Sequence, residues 1–98
     1  MDLFLKEKKV LVTGSSRGIG RSIADNFLLE GAEVMITGRS EKSLNDTYDE
    51  FYKKYDNKRV FKFCGDLTEI SEINKCVEYI DEVFGKLDVL ILNIGNSK

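Results

Sequence analysis

Three glycines, Gly14, Gly18 and Gly20, fall inside the stretch Thr13-Gly14-Ser15-Ser16-Arg17-Gly18-Ile19-Gly20, between the apolar run Val10-Leu11-Val12 and an amphipathic segment. A turn from a strand into a helix presents backbone N–H groups and the positive helix end to whatever lies there, which suits a pyrophosphate. The spacing G-x-x-x-G-x-G differs from the G-x-G-x-x-G of dinucleotide-binding turns but occupies the same strand-to-helix context. Gly14 is expected to make the turn, Gly18 to let backbone approach a diphosphate and Gly20 to pack helix against sheet. Ser15, Ser16, Arg17 and Ile19 complete the candidate loop. Taken alone, such a triplet also fits a tight turn that binds nothing.

About twenty residues beyond the loop, Gly38-Arg39-Ser40 ends a second apolar run. An acidic residue there would bond the ribose 2′-hydroxyl of NAD. This chain has Arg39 instead, a planar fork of donors suited to a phosphate, and Arg17 can face the same group, so the pair favours the 2′-phosphate of NADP over NAD. The alternatives are a surface arginine beside Glu41 and a solvated loop charge. Asp66-Leu67, after a third apolar run, is placed to bond an adenine edge and line its pocket. Asp66-Leu67-Thr68-Glu69 also fits a helix capping box in outline, and the two readings are compatible.

Other chemistry is restricted by composition. The 98 residues contain no histidine and two cysteines, Cys64 and Cys76. Neither a zinc site nor a Cys–His nucleophile can be assembled from them, and both read as reduced packing residues. Acid–base chemistry would rest on Tyr, Lys, Asp or Glu. Fifteen basic and 17 acidic residues, interleaved to a net charge of −2, give no field that gathers nucleic acid or an anionic membrane surface. Lys53-Lys54 with Lys58-Arg59 reads as a solvated helix end. There is no run of eighteen apolar residues and no signal pattern at the N-terminus, so a cytoplasmic protein that neither enters membranes nor binds nucleic acid is expected.

The elements that must position these groups follow from periodicity. Short apolar runs at 8–12, 32–37, 59–64 and 87–92 read as strands, the last nearly continuous in apolar character, as for a strand covered on both faces. Ile19, Ile23, Ala24, Phe27 and Leu28 recur at helical spacing, with Gly31 as a stop. So do Leu44, Tyr48, Phe51, Tyr52 and Tyr55 behind a Ser40 N-cap, and Ile70, Ile73, Val77, Ile80, Val83 and Phe84 before Gly85. The pattern βαβαβαβ with short connections predicts one α/β domain over residues 1–98. It is a Rossmann-like parallel sheet with right-handed crossovers and spatial order 3-2-1-4.

The glycine loop, Gly38-Arg39, Asp66-Leu67 and the run Leu87-Asp88-Val89-Leu90-Ile91-Leu92-Asn93-Ile94-Gly95 together resemble the N-terminal half of the short-chain dehydrogenase/reductase family. The resemblance covers nearly the whole chain and implies a fold truncated relative to the full family domain. In that family the fourth strand ends in Asn-Asn-Ala-Gly, matched here by Leu92, Asn93, Ile94 and Gly95. Asn93 and Gly95 are thereby implied to be cofactor-side residues, while Leu92 and Ile94 depart from the pattern.

The resemblance further implies hydride transfer between a nicotinamide ring and a carbonyl or alcohol, with a Tyr as acid–base, a Lys lowering its pKa and a Ser orienting substrate. Those residues belong to the later half of the family fold. No Tyr in this chain has Lys four positions on. The expectation is therefore the NADP-binding portion of a short-chain oxidoreductase without catalytic residues of its own. The alternative is a non-catalytic nucleotide-binding or interaction module. A bare fourth strand would present a flat apolar edge, to be covered by a further C-terminal segment, a partner or self-association.

Overall fold

Alternate residues of each short apolar run face opposite layers, so runs as apolar as these need helices on both sides of one sheet. The computed structural model describes residues 5–93 and has that architecture. In chain order the elements are β1 (Lys9–Val12), α1 (Gly18–Leu29), β2 (Glu33–Gly38), α2 (Glu41–Lys54), β3 (Val60–Cys64), α3 (Ile70–Val83) and β4 (Val89–Ile91). A 3-10 turn, Asn57–Arg59, leads into β3. All strands are parallel, in the order β3-β2-β1-β4, with Leu11 opposite Met35 on one side and Leu90 on the other.

One layer is filled by Val10, Val12, Val34, Ile36 and Val60 from the sheet, against Ala24 and Leu28 of α1 and Leu44 and Phe51 of α2. The other joins Leu11, Met35, Phe61 and Phe63 to Cys76, Ile80 and Phe84 of the α3 segment. After β3 the chain crosses back to the far side of β1, so that α1 and α2 lie on one face and α3 on the other. The switch point falls between β1 and β4, and a crevice opens above the ends of these strands.

Local signals account for the helix ends. The Ser40 side chain accepts a hydrogen bond from the Ser43 N–H at 3.3 Å, with Glu41 in the first turn of α2 and Lys53 and Lys54 in the last. The chain turns back at Gly31 after α1, where the Ala32 N–H reaches the Phe27 carbonyl at 3.1 Å.

Two expectations need correction, and four exposed apolar side chains need a reason. Ile70, Ile73 and Val77 share the helical spacing of α3 but are exposed, because α3 settles its Cys76–Ile80–Phe84 side on β1, β2 and β3. Ile19, at the start of α1, is 73% exposed for a different reason: it faces the crevice rather than the sheet. The fourth strand is only Val89–Ile91. Val89 and Ile91 pack on the first layer, while Leu90 is 49% exposed, since no described element covers β4 on the α3 side. Cys64 is exposed and donates a long contact to the Arg39 carbonyl at 3.7 Å, so only Cys76 is a packing cysteine. Its thiol is pushed up to about 11 by burial.

At the far end of the sheet from the crevice, the basic cluster is tied into the fold. The Tyr55 hydroxyl donates to Asp25 Oδ1 at 2.5 Å, Lys54 Nζ reaches the same oxygen at 3.2 Å, and Arg59 donates to the Leu28 and Ala32 carbonyls at 2.9 Å each. Burial pulls the Asp25 carboxyl upward, but the bonds from Tyr55 and Lys54 outweigh it and hold the group below its ordinary value of 3.8. Folded protein thus keeps Asp25 ionised to lower pH than the unfolded chain does. The stability it contributes is complete above that value and is lost as pH falls through the lowered one. Replacing Tyr55 by Phe is expected to cost about 1 kcal/mol at pH 7 and to flatten the loss of stability below pH 4. Urea unfolding of both proteins across pH 2.5–7 checks this, and parallel pH profiles would contradict it.

Candidate functional site

The ladder between β1 and β2 ends at Val12 and Ile36, yet the chain beyond it stays tied down through hydroxyl groups. Ser15 is fully buried. Its N–H donates to the Thr37 carbonyl at 2.8 Å, its hydroxyl donates to the Val12 carbonyl at 2.7 Å, and it accepts from the Thr37 N–H at 2.9 Å. The Gly14 N–H donates to Thr37 Oγ1 at 3.1 Å. On the other flank, the Thr13 N–H donates to the Ile91 carbonyl at 3.0 Å and Thr13 Oγ1 accepts from the Asn93 N–H at 2.8 Å. Asn93 Nδ2 closes the circuit by donating to the Gly14 carbonyl at 3.1 Å. Among the described residues every buried side-chain nitrogen or oxygen has a partner.

This stitching requires close approach. Gly14 has φ +57, and a Cβ there would lie 2.6 Å from the Asn93 carbonyl oxygen. A Cβ on Gly20 would overlap the Gly14 carbonyl and come within 2.6 Å of Asn93 Nδ2. Gly20 therefore packs the first turn of α1 onto the loop and Asn93 rather than onto the sheet itself.

Above the strand ends lies an open cleft of about 1360 Å³ with two unlike walls. Gly14, Ser16, Arg17, Gly18, Ile19, Thr37, Arg39, Ser40, Ser43, Asp66, Thr68 and Asn93 line the largely polar wall. The apolar wall is Leu11, Leu67, Ile73, Cys76, Val77, Ile80, Leu87, Leu90 and Leu92. The cleft gathers nine of the residues singled out in the sequence: Gly14, Ser16, Arg17, Gly18, Ile19, Arg39, Asp66, Leu67 and Asn93. Ser15 and Gly20 support it from behind and do not line it. Gly95, with Ile94, lies outside the described residues. Ser40, Ser43 and Thr68 belong to the lining as well. Thr13, Thr37 and Thr47 support it, and Thr13 and Thr37 also line the cleft. The sequence signal for the first two of these was a threonine closing each of the first two apolar runs.

The electrostatics favour an anion. The N-terminus of α1 opens into the cleft with no acidic residue in its first turn, and Arg17 and Arg39 approach from separate elements. Asp66 does not cap α3, whose N-cap is Glu69. Its carboxylate instead accepts from Thr68 Oγ1 at 2.7 Å and the Thr68 N–H at 3.0 Å, forming a turn ahead of the helix. These bonds, the side-chain one foremost and with Arg39 adding a smaller attraction, hold the Asp66 carboxyl below its usual range. The capping-box expectation thus gives way to a local turn that fixes an ionised acceptor at the cleft rim. A donor-rich loop, two arginines and one acceptor at the rim suit the phosphates and base of a dinucleotide.

No group of three or more His, Cys, Asp or Glu among the described residues is placed to hold a metal, and no described helix is long and apolar enough to cross a membrane.

Comparison with known proteins agrees with this geometry. The profile of the family described as short chain dehydrogenase matches residues 8–98. An uncharacterised oxidoreductase of Bacillus subtilis, YvrD, is 40% identical over 95 residues, covering 97% of this chain and 35% of its own length. The 3-oxoacyl-[acyl-carrier-protein] reductase FabG of Aquifex aeolicus is 39% identical over 98 residues, covering all of this chain and 39% of that protein. Among solved structures, L-sorbose reductase from Gluconobacter frateurii, complexed with NADPH and L-sorbose, superposes with a TM-score of 0.92 at 31% identity. It covers the whole of this chain and 37% of that one. The chain thus spans little more than a third of the length of the relatives it matches.

Gly20→Ala tests the stitched loop by the sign of its effect. Gly to Ala inside a helix ordinarily stabilises by about 1 kcal/mol. Here overlap with backbone is expected to destabilise by about 1–3 kcal/mol instead. Urea unfolding measures the sign, and a stabilised variant would contradict the packing described.

Proposed function

The chain belongs to the short-chain dehydrogenase family, and on that premise we propose that residues 1–98 are the N-terminal, cofactor-binding part of an NADP-dependent oxidoreductase. The reaction proposed for the whole protein is hydride transfer between nicotinamide and a carbonyl or alcohol substrate. The observation that carries the cofactor assignment is the convergence of Arg17 and Arg39 on the cleft into which the N-terminus of α1 opens, with no carboxylate at the end of β2. In this reading the loop from Gly14 to Ile19 holds the diphosphate, Arg17 and Arg39 hold the 2′-phosphate, and Asp66 and Leu67 meet the adenine. When bound, the dinucleotide supplies the hydride donor or acceptor. This chain's residues bind and orient its adenosine half. The NADPH complex of the L-sorbose reductase supports the same assignment by likeness.

The apolar wall formed by Leu90, Leu92, Ile73 and Val77 is proposed to be closed by further chain or by a second copy, completing the nicotinamide side. A cytoplasmic setting is proposed too, supported by two free cysteines, one of them exposed. A second reading, a non-catalytic nucleotide-binding or interaction module, is favoured by one fact, the absence of Tyr-x-x-x-Lys from these residues. A reading frame that runs on into a Tyr-x-x-x-Lys segment decides for the enzyme.

For the cofactor, Arg39→Asp is expected to weaken NADPH by roughly 10- to 100-fold and to leave NADH within about threefold, measured by fluorescence titration. Equal losses for the two would remove Arg39 from the 2′-phosphate.

A further inference from the structure

Thr47 interrupts the apolar face of α2. It lies between Leu44 and Phe51 on that face and is itself only 4% exposed. A buried hydroxyl needs a partner, and Thr47 Oγ1 donates to the Ser16 carbonyl oxygen at 2.5 Å. Ser16 also packs closely on the end of β2, where a Cβ on Gly38 would come within 2.9 Å of Ser16 Oγ. With its carbonyl aimed at α2, the trans peptide joining Ser16 to Arg17 has one orientation, and the Arg17 N–H is directed away from that helix. Arg17 leaves this fixed peptide in an extended conformation, φ −161 and ψ 172.

The same helix lines the cleft one turn earlier. Ser43 stands four residues before Thr47, and Ser40 with Arg39 precedes it at the mouth of the cleft. Arg17 comes from the loop after β1 and Arg39 from the connection after β2, so nothing in either segment alone sets their separation. Gly14 and Ser15 are bonded to Thr37, two residues before Arg39, and the bond from Thr47 to Ser16 adds a second tie, from α2 to the residue next to Arg17.

We infer that Thr47 is a positioning residue for cofactor selection. It locks α2 to the phosphate loop so that Arg17 and Arg39 act together on one phosphate, a role that rests on the NADP reading above. It touches neither ligand nor cleft, and acts through the Ser16–Arg17 peptide.

Calorimetric titration with adenosine 2′,5′-bisphosphate and with 5′-AMP, ligands that differ only in the 2′-phosphate, tests this on wild-type, Thr47→Val and Thr47→Ser proteins. Thr47→Val is expected to lose about tenfold in affinity for the bisphosphate and less than about twofold for AMP. Thr47→Ser, which keeps the hydroxyl, is expected to restore the wild-type ratio. Equal losses for both ligands, no loss for either, failure of Thr47→Ser to restore the ratio, or loss of cooperative unfolding in Thr47→Val would each make the hydroxyl merely structural and overturn the inference. The wild-type titrations stand apart from the variants: equal affinity for the two ligands, or none for either, would overturn the NADP reading and the inference with it.

Discussion

A parallel sheet that opens a binding crevice at its strand ends must leave backbone groups there without ladder partners, and buried groups of that kind are costly. Here the side chains of Ser15, Thr13, Thr37 and Asn93 take over where the ladder stops. Most of what the site can do depends on this substitution. Because Ser15 satisfies Val12 and Thr37 from within the fold, the chain can leave β1, turn and enter α1 with the loop lining the cleft rather than folding back into the sheet. The absence of Cβ atoms at Gly14 and Gly20 lets Asn93 complete the same network from β4.

The cleft built on that network is chemically divided. Its polar wall collects the N-terminus of α1, Arg17, Arg39 and the ionised Asp66, and so presents donors to phosphate and one acceptor at the rim. Its apolar wall is the exposed side of β4 and the flank of α3, with Leu90, Leu92, Ile73 and Val77 bare to solvent. An exposed apolar strand edge favours association with more protein. The polar wall suits an anion, and the apolar wall is surface that no described element covers.

Much of this was legible in the sequence, for identifiable reasons. Strand and helix alternation came from clear periodicity, and strand order from the change of direction after the third strand that such α/β sheets make. The residues gathered at the cleft were those whose type is hard to explain otherwise: glycines at a strand-to-helix turn, Arg39 where an acid is expected for NAD, and Asp66 after β3. Periodicity failed on α3 and β4. Ile73, Val77, Leu90 and Leu92 face the bare wall and Ile70 is exposed, and spacing alone cannot tell such surface from a core. Ser15 was placed in the loop without its supporting role and Thr47 was passed over, because their hydroxyls serve carbonyl groups that only the fold brings near. The Asp66 turn was hidden behind a capping pattern that four residues satisfy on paper.

The proposed nucleotide site joins the loop from Gly14 to Ile19, Arg39, and Asp66 with Leu67. Amide chemical-shift mapping by NMR as NADPH is added tests it most directly. Saturable shifts are expected at Gly14–Ile19, Arg39–Ser43 and Asp66–Thr68, with little change at the Asp25–Tyr55–Arg59 end of the sheet. Shifts scattered over the surface, or confined to that opposite end, would contradict it.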